Sequence, residues 1–241
     1  MLPGTEIHVW RVSLADAATV ALRLSPLLSE DEKERAARFR FARHRDAYIA
    51  SRGTLRQVLA PYLGLAPEAV RFAYGPHGKP SLAGEAAACD LEFNLSHSGE
   101  VALVAVARGR RVGVDVERIR AEVASDAIAR RYFSPREVET LLALPEPARL
   151  EAFFACWCRK EAYLKARGDG LTHPLDAFDV TLAPHENAAL LATRDDPHEA
   201  ARWRLHALEA GVGYAAALAI EQQAEDPPVN SVRCWRYPNV C

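Results

Sequence analysis

The apolar positions of this chain change period several times, and each change predicts an element. In EIHVWRVSL, residues 6–14, Ile7, Val9 and Val12 are set among polar neighbours, which reads as an opening strand. Residues 29–65, SEDEKERAARFRFARHRDAYIASRGTLRQVLAPYLGL, read instead as a charged helical stretch: Ser29 and Glu32 have capping-box spacing, and Gly64 and Pro67 supply stop signals. The Gly and Pro of AYGPHGKPSLAG, residues 73–84, forbid a helix. LEFNLSHS (91–98), VALVAVA (101–107) and RVGVDVE (111–117) then read as three short strands, with turns at Ser98-Gly99 and Gly109. Helical character returns from about Arg120 and continues through SPREVETLLAL, with Pro135 at a helix start. It ends in a long helix, residues 146–167, closed by Gly168. WRLHALEA (203–210) and YAAALAIE (214–221) are closing strands.

The halves echo each other. FNLSHSGEVALVAVA and LHALEAGVGYAAALAIE both read strand, Gly turn, strand, and each follows a helix. The expected fold is therefore α+β, a pseudo-twofold duplication of one α+β unit, each copy with a small, mainly antiparallel sheet packed by helices. The expected divisions are 1–112, 113–222 and a tail, 223–241.

Composition narrows the class. With 241 residues, 49% of them hydrophobic, the chain can bury a sizeable core. Its formal charge of −2 argues against a nucleic-acid partner, although Arg35, Arg38, Arg40, Arg43, Arg45, Arg52 and Arg56 face only Asp46 in their segment. No apolar run spans a bilayer and the first residues lack a signal-peptide pattern, so a cytoplasmic protein is expected. Cys89, Cys156, Cys158, Cys234 and Cys241 have no framework spacing and read as reduced thiols; Cys156 and Cys158 point apart on one helix.

The strand at 111–117 poses the chemical question. Asp115 and Glu117 alternate with valines, so both carboxylates project from one face, which on an ordinary edge strand is a solvated face. In the long helix, Trp157, Glu161 and Lys165 fall four apart in one stripe with Lys160 beside them, among Phe153, Phe154 and Leu164. A surface Glu-Lys pair is common, but on so apolar a helix Glu161 and Lys165 are expected to be partly desolvated. If that helix packs on the strand, Asp115, Glu117 and Glu161 form a hard oxygen site suited to Mg²⁺ and phosphate. Lys160, Lys165, Lys79, His97 and the first-half arginines are cations available to a phosphate. No Walker A loop, Rossmann fingerprint or kinase signature occurs, and no nucleophile elbow surrounds Ser96-His97-Ser98.

At this point YGPHGKPSL, FNLSHSGEVALVAV, GVDVERI, YFSPREVETL and WCRKEAYLKARGDGL, in that order, resemble the successive motifs of the 4′-phosphopantetheinyl transferases, specifically the monomeric class that activates surfactin synthetase. The likeness runs from about Arg35 to Gly170. It implies Mg²⁺-dependent transfer of the phosphopantetheine arm of coenzyme A to a serine of an acyl or peptidyl carrier protein, releasing 3′,5′-ADP, by a monomer serving fatty acid, polyketide, nonribosomal peptide or aminoadipate reductase carriers. Matched by position, Asp115, Glu117 and Glu161 resemble the metal triad and Lys165 the diphosphate lysine. Arg56 and His97 resemble the 3′-phosphate contacts, Lys79 and Pro80 lie where adenine is met, and Ser96 is at the diphosphate end. Arg35 matches a further basic contact to coenzyme A, and Glu32 replaces a basic residue one turn earlier. The implied division of labour puts coenzyme A on the first half, and the metal and carrier on the second. Glu161, Glu137 and a metal-bound water are candidates for the general base, and Arg130, Arg131 and Arg136 for carrier docking. A catalytically silent carrier-binding module and a metal-dependent nuclease are the rival readings.

Overall fold

The computed structural model describes residues 2–75, 78–168, 173–222 and 228–237. Pro76 and His77 of the first motif, Gly170 of the last, Cys241 and both ends of the expected tail lie outside them. The chain is α+β and divides into two units, Met1–Gly109 with Val229–Cys241, and Arg110–Pro228.

In the first unit, β1 (Glu6–Ser13) leads to α1 (Ala17–Leu24), α2 (Glu30–Ala37) and α3 (Ala42–Leu63). The helical stretch expected over 29–65 is thus two helices, although no Gly or Pro separates them. Its N-terminus is as expected: the Ser29 N–H donates to the Glu32 carboxylate at 3.1 Å. The break has a long-range cause. Glu32 lies 2.7 Å from Arg56, each side chain 1% exposed, whereas 24 residues of continuous helix would hold them about 36 Å apart. Burying both charges requires the chain to double back.

The Gly- and Pro-rich patch that excludes a helix forms a hairpin, β2 (Phe72–Tyr74) with β3 (Pro80–Leu82). β4 (Leu91–Ser98) and β5 (Val101–Arg108) follow, paired antiparallel, and β5 pairs with β1. VALVAVA is buried along its whole length, as an unbroken apolar run requires. Leu55, Val58 and Leu59 of α3 pack there with Phe93, Val104 and Val106.

The second unit opens with β6 (Val112–Arg118), so the division falls after Gly109, just ahead of the expected 112: Arg111 already accepts the Glu221 N–H. α4 begins only at Asp126, capped by Ser125, and ends at Tyr132. α5 (Pro135–Ala143) and α6 (Glu146–Arg167) match the expected spans, and Gly168 closes α6 at φ 86°, a left-handed conformation that favours glycine. β7 (Phe178–Val180) and β8 (Leu190–Thr193) make a small ladder, while β9 (Trp203–Ala207) and β10 (Tyr214–Glu221) join β6 in an antiparallel sheet of order β6-β10-β9. Phe153, Phe154, Tyr163, Phe178 and Trp203 fill its core.

The segment expected as a tail re-enters the first unit. Ser231–Arg236 forms β11, parallel to β1 with Glu6 opposite Ser231, and completes the order β11-β1-β5-β4. Trp235 stacks on Trp10 at 5.0 Å, and Tyr237 donates to Gln57 Oε1 at 3.1 Å. Each unit therefore combines a 22-residue helix, α3 or α6, with a largely antiparallel sheet.

Candidate active site

β6 is an edge strand, but its polar face is not solvated. A Cβ placed on Gly113 would lie 2.2 Å from the Ala162 carbonyl oxygen and 2.4 Å from the Ala166 nitrogen, so only glycine lets α6 sit this close. The residues of β10 opposite Gly113, Asp115 and Glu117 are Ala219, Ala217 and Ala215, which keep the remaining surface low. The helix covers Asp115, which is 2% exposed. The unusual V-G-V-D-V-E pattern is a strand face cut down for a helix to lie on, with two carboxylates left beneath it.

Lys165, one turn beyond Glu161 on α6, reaches Asp115: Nζ donates to Oδ1 at 2.5 Å. Burial works against the Lys165 ammonium, but the Asp115 charge and hydrogen bond, with Glu161, outweigh it and raise its pKa above 10.5. Burial pushes the Glu161 carboxyl above its ordinary 4.5; Lys165 pulls it back, and the charges of Asp115 and Glu117 add to the rise. Three carboxylates and one ammonium therefore share one electrostatic neighbourhood, built from β6 and α6 alone. Cys158 borders it, its thiol held well above 9.0 by burial and then by Asp115, which leaves an inert, protonated neighbour.

The donor chemistry suits a hard divalent cation: all three acids are oxygen donors, and like charges held near one another are relieved by positive charge. Among the described residues no group of three acidic, His or Cys side chains is placed to hold a metal ion as it stands, and Lys165 supplies the counter-charge to Asp115.

Two expected site residues have internal partners. Lys160 is fully buried; its Nζ donates to the Leu175 and Phe178 carbonyls at 2.7 Å each and pairs with Glu137 at 2.7 Å. Glu137 also accepts the N–H groups of Ser134 at 2.8 Å and Val180 at 2.7 Å. This buried pair ties α5 and α6 to β7. Arg130, Arg131 and Arg136 are exposed on α4 and α5.

The first unit holds the remaining expected residues, and there Arg56 too has internal partners. It is 1% exposed, and it donates to Glu32, to Ser29 Oγ at 3.1 Å and to the Val70 carbonyl at 2.6 Å. Arg56 is an internal clamp, and Glu32, which departs from the basic residue the resemblance leads one to expect, is its counter-ion. Lys79 and Pro80 are on the hairpin, Pro80 opposite Tyr74. Ser96, buried, and His97, exposed, occupy successive positions of β4. Arg35 is on the exposed side of α2, its guanidinium 5.7 Å from the Tyr48 ring centroid.

Comparison with known proteins identifies the family. Residues 111–219 match the 4′-phosphopantetheinyl transferase superfamily, and residues 10–108 match the family described as 4′-phosphopantetheinyl transferase, N-terminal. The 4′-phosphopantetheinyl transferase HetI of Nostoc sp. is 40% identical over 236 residues, covering 98% of this chain and 94% of that one. The 4′-phosphopantetheinyl transferase Sfp of Bacillus subtilis is 28% identical, covering 85% and 88%. The human L-aminoadipate-semialdehyde dehydrogenase-phosphopantetheinyl transferase is 30% identical, covering 73% of this chain and 58% of its own length. The chain belongs to the 4′-phosphopantetheinyl transferase superfamily and is a transferase of the Sfp-like type.

Proposed function

We propose that this transferase moves the 4′-phosphopantetheine group of coenzyme A to a serine hydroxyl of an acyl or peptidyl carrier protein, with Mg²⁺, acting as a cytoplasmic monomer. The observation that supports this reading is the covered face of β6: Asp115 pairs with Lys165 of α6 where Gly113 lets strand and helix meet, and Asp115 and Glu117 act electrostatically on Glu161. No helix among the described residues is long and apolar enough to cross a membrane.

In the reaction the serine oxygen forms a bond to the β-phosphorus of the diphosphate, and the bond from that phosphorus to the bridging oxygen breaks. The electron pair leaves with 3′,5′-ADP. Asp115, Glu117 and Glu161 would hold the divalent cation, which when bound neutralises charge on the diphosphate oxygens. Lys165 supplies a compact, three-donor positive charge to the same oxygens and stabilises negative charge as it grows on the leaving group. We assign the serine proton to Glu161, because Glu137 is already committed to Lys160. His97, Lys79, Pro80, Ser96 and Arg35 serve the nucleotide and diphosphate of coenzyme A.

Mass spectrometry of several apo carrier proteins after incubation with the chain, coenzyme A and Mg²⁺ tests the reading. A mass gain of one phosphopantetheine group, abolished by EDTA and restored by Mg²⁺, is expected on at least one carrier. No gain on any of them, or transfer indifferent to EDTA, would contradict it.

A further inference from the structure

Four side chains of the first unit form one directional chain of hydrogen bonds. Trp10 Nε1 on β1 can only donate, and it donates to Tyr62 Oη of α3 at 2.9 Å. Tyr62 Oη also lies 2.6 Å from Nδ1 of His8, which shares a strand face with Trp10. On the other side of the imidazole, Nε2 is 3.4 Å from a carboxylate oxygen of Glu6, which can only accept. These partners assign the protons: Tyr62 donates to Nδ1, Nε2–H donates to Glu6, and His8 is neutral.

His8 is also where the last strand is held, since it stands opposite Arg233 of β11. The Trp235 ring meets the imidazole edge-on at 4.3 Å and stacks on Trp10 at 5.0 Å. Arg233 donates to the second oxygen of Glu6 at 2.9 Å. The charged and titratable groups that face His8 are therefore Glu6 of β1, Arg233 of β11 and Tyr62 of α3, while β5 presents Val106 opposite it. Burial is the largest influence on the imidazole and lowers its pKa below 6.5; Glu6 opposes this, and Arg233 adds to it. Burial raises the Tyr62 phenol, which stays a protonated donor at neutral pH.

A second proton on His8 breaks the chain. Nδ1–H then points at Tyr62 Oη, which must accept from both His8 and Trp10, and the phenol proton loses its acceptor. The imidazolium also competes with Arg233 for Glu6. These costs fall away when Trp235 and Arg233 withdraw, because water then reaches the ring and Glu6 is left to His8 alone.

We propose that His8 is a proton-operated latch, which holds β11 on β1 when neutral and releases it when protonated. β11 is the part of the first unit that the chain reaches only after completing the second, so the latch governs the outer strand of the sheet β11-β1-β5-β4. The docked strand excludes a proton that the released strand takes up. Docking is thus at full strength above about pH 6.5 and is lost as pH falls through the lower midpoint of the docked form. The latch is independent of the coenzyme A reading.

Hydrogen–deuterium exchange of the full chain at about pH 7.5 and about pH 5, corrected for intrinsic exchange, tests the latch together with an NMR titration of His8. Residues 231–236 are expected to lose roughly tenfold of their protection at the acid pH while α6 keeps its own; a tenfold change in docking corresponds to moving the His8 midpoint by about one pH unit. His8→Gln, which cannot titrate, is expected to protect 231–236 equally at both pH values. By reciprocity, Trp235→Ala, which loosens β11, is expected to move the His8 midpoint up toward 6.5. Should His8→Gln loosen β11 at both pH values, the Trp235→Ala titration decides. Wild-type protection that is the same at both pH values, an acid loss as large in His8→Gln, or a His8 midpoint that Trp235→Ala leaves in place overturns the latch.

Discussion

Gly113 on β6 and Ala162 on α6 approach so closely that any side chain at 113 would strike the Ala162 carbonyl oxygen, 2.2 Å from where a Cβ would lie. The backbone of α6 cannot yield without moving Glu161 and Lys165 away from Asp115. Gly113→Ala is therefore expected to destabilise the protein by about 1–3 kcal/mol, as overpacking does, and to reduce transfer further than that loss explains. Chemical denaturation and a transfer assay on the folded fraction check both parts. Wild-type stability and rate would mean that the helix can lift without consequence.

The Lys160-Glu137 pair is internal structure. Removing one partner leaves the other charged and buried, so Lys160→Met is expected to cost about 3–5 kcal/mol, whereas Lys160→Met combined with Glu137→Leu should recover much of the loss. A double-mutant cycle in urea measures this. If Lys160→Met instead kept its stability and raised the KM for coenzyme A, Lys160 would be a ligand contact after all.

Acid stability of the second unit should depend on Glu221. Bidentate hydrogen bonds from Arg111, at 2.7 and 2.6 Å, hold its carboxyl below the ordinary 4.5 against the opposing effect of burial. A depressed carboxyl contributes stability that is fully present above the unfolded pKa and is lost as pH falls through the folded one. Glu221→Gln should thus be less stable than wild type near neutrality, with the difference shrinking below about pH 4.5. Melting curves over pH 3 to 7 check the sign, and a difference that grew toward acid would refute it.

Arg130, Arg131 and Arg136 are exposed on consecutive helices of the second unit and suit the acidic surface expected of a carrier. Reversing all three to Glu should raise the carrier KM, flatten its dependence on ionic strength and leave the KM for coenzyme A nearly unchanged. A rise in the coenzyme A KM instead would place these arginines at the nucleotide.

The sequence makes local features legible and long-range pairing obscure. The ends of α5 and α6 can be read because Ser134, Pro135 and Gly168 act within a turn or two of themselves. Asp115, Glu117, Glu161 and Lys165 stand out because two periods, 2 and 3.6, each place charges on an otherwise apolar face. Arg56 and Lys160 look like ligand contacts because their counter-ions, Glu32 and Glu137, are 24 and 23 residues away, beyond any helical spacing. Gly113 reads as one member of an alternating strand until the helix above it is seen. β11 cannot be read at all, since VRCWRY gains its order from pairing with β1, more than 200 residues earlier.

The proposal makes Asp115, Glu117 and Glu161 one cation-dependent centre with Lys165. Its most direct test is transfer rate against Mg²⁺ concentration for the wild type and Asp115→Asn, with melting temperature measured in parallel. Expected are a wild-type rate that vanishes in EDTA and returns with Mg²⁺, and an Asp115→Asn protein that stays folded but loses at least about a hundredfold in rate at every Mg²⁺ concentration, several kcal/mol of transition-state stabilisation. A folded Asp115→Asn protein with wild-type rate at low Mg²⁺ would contradict it.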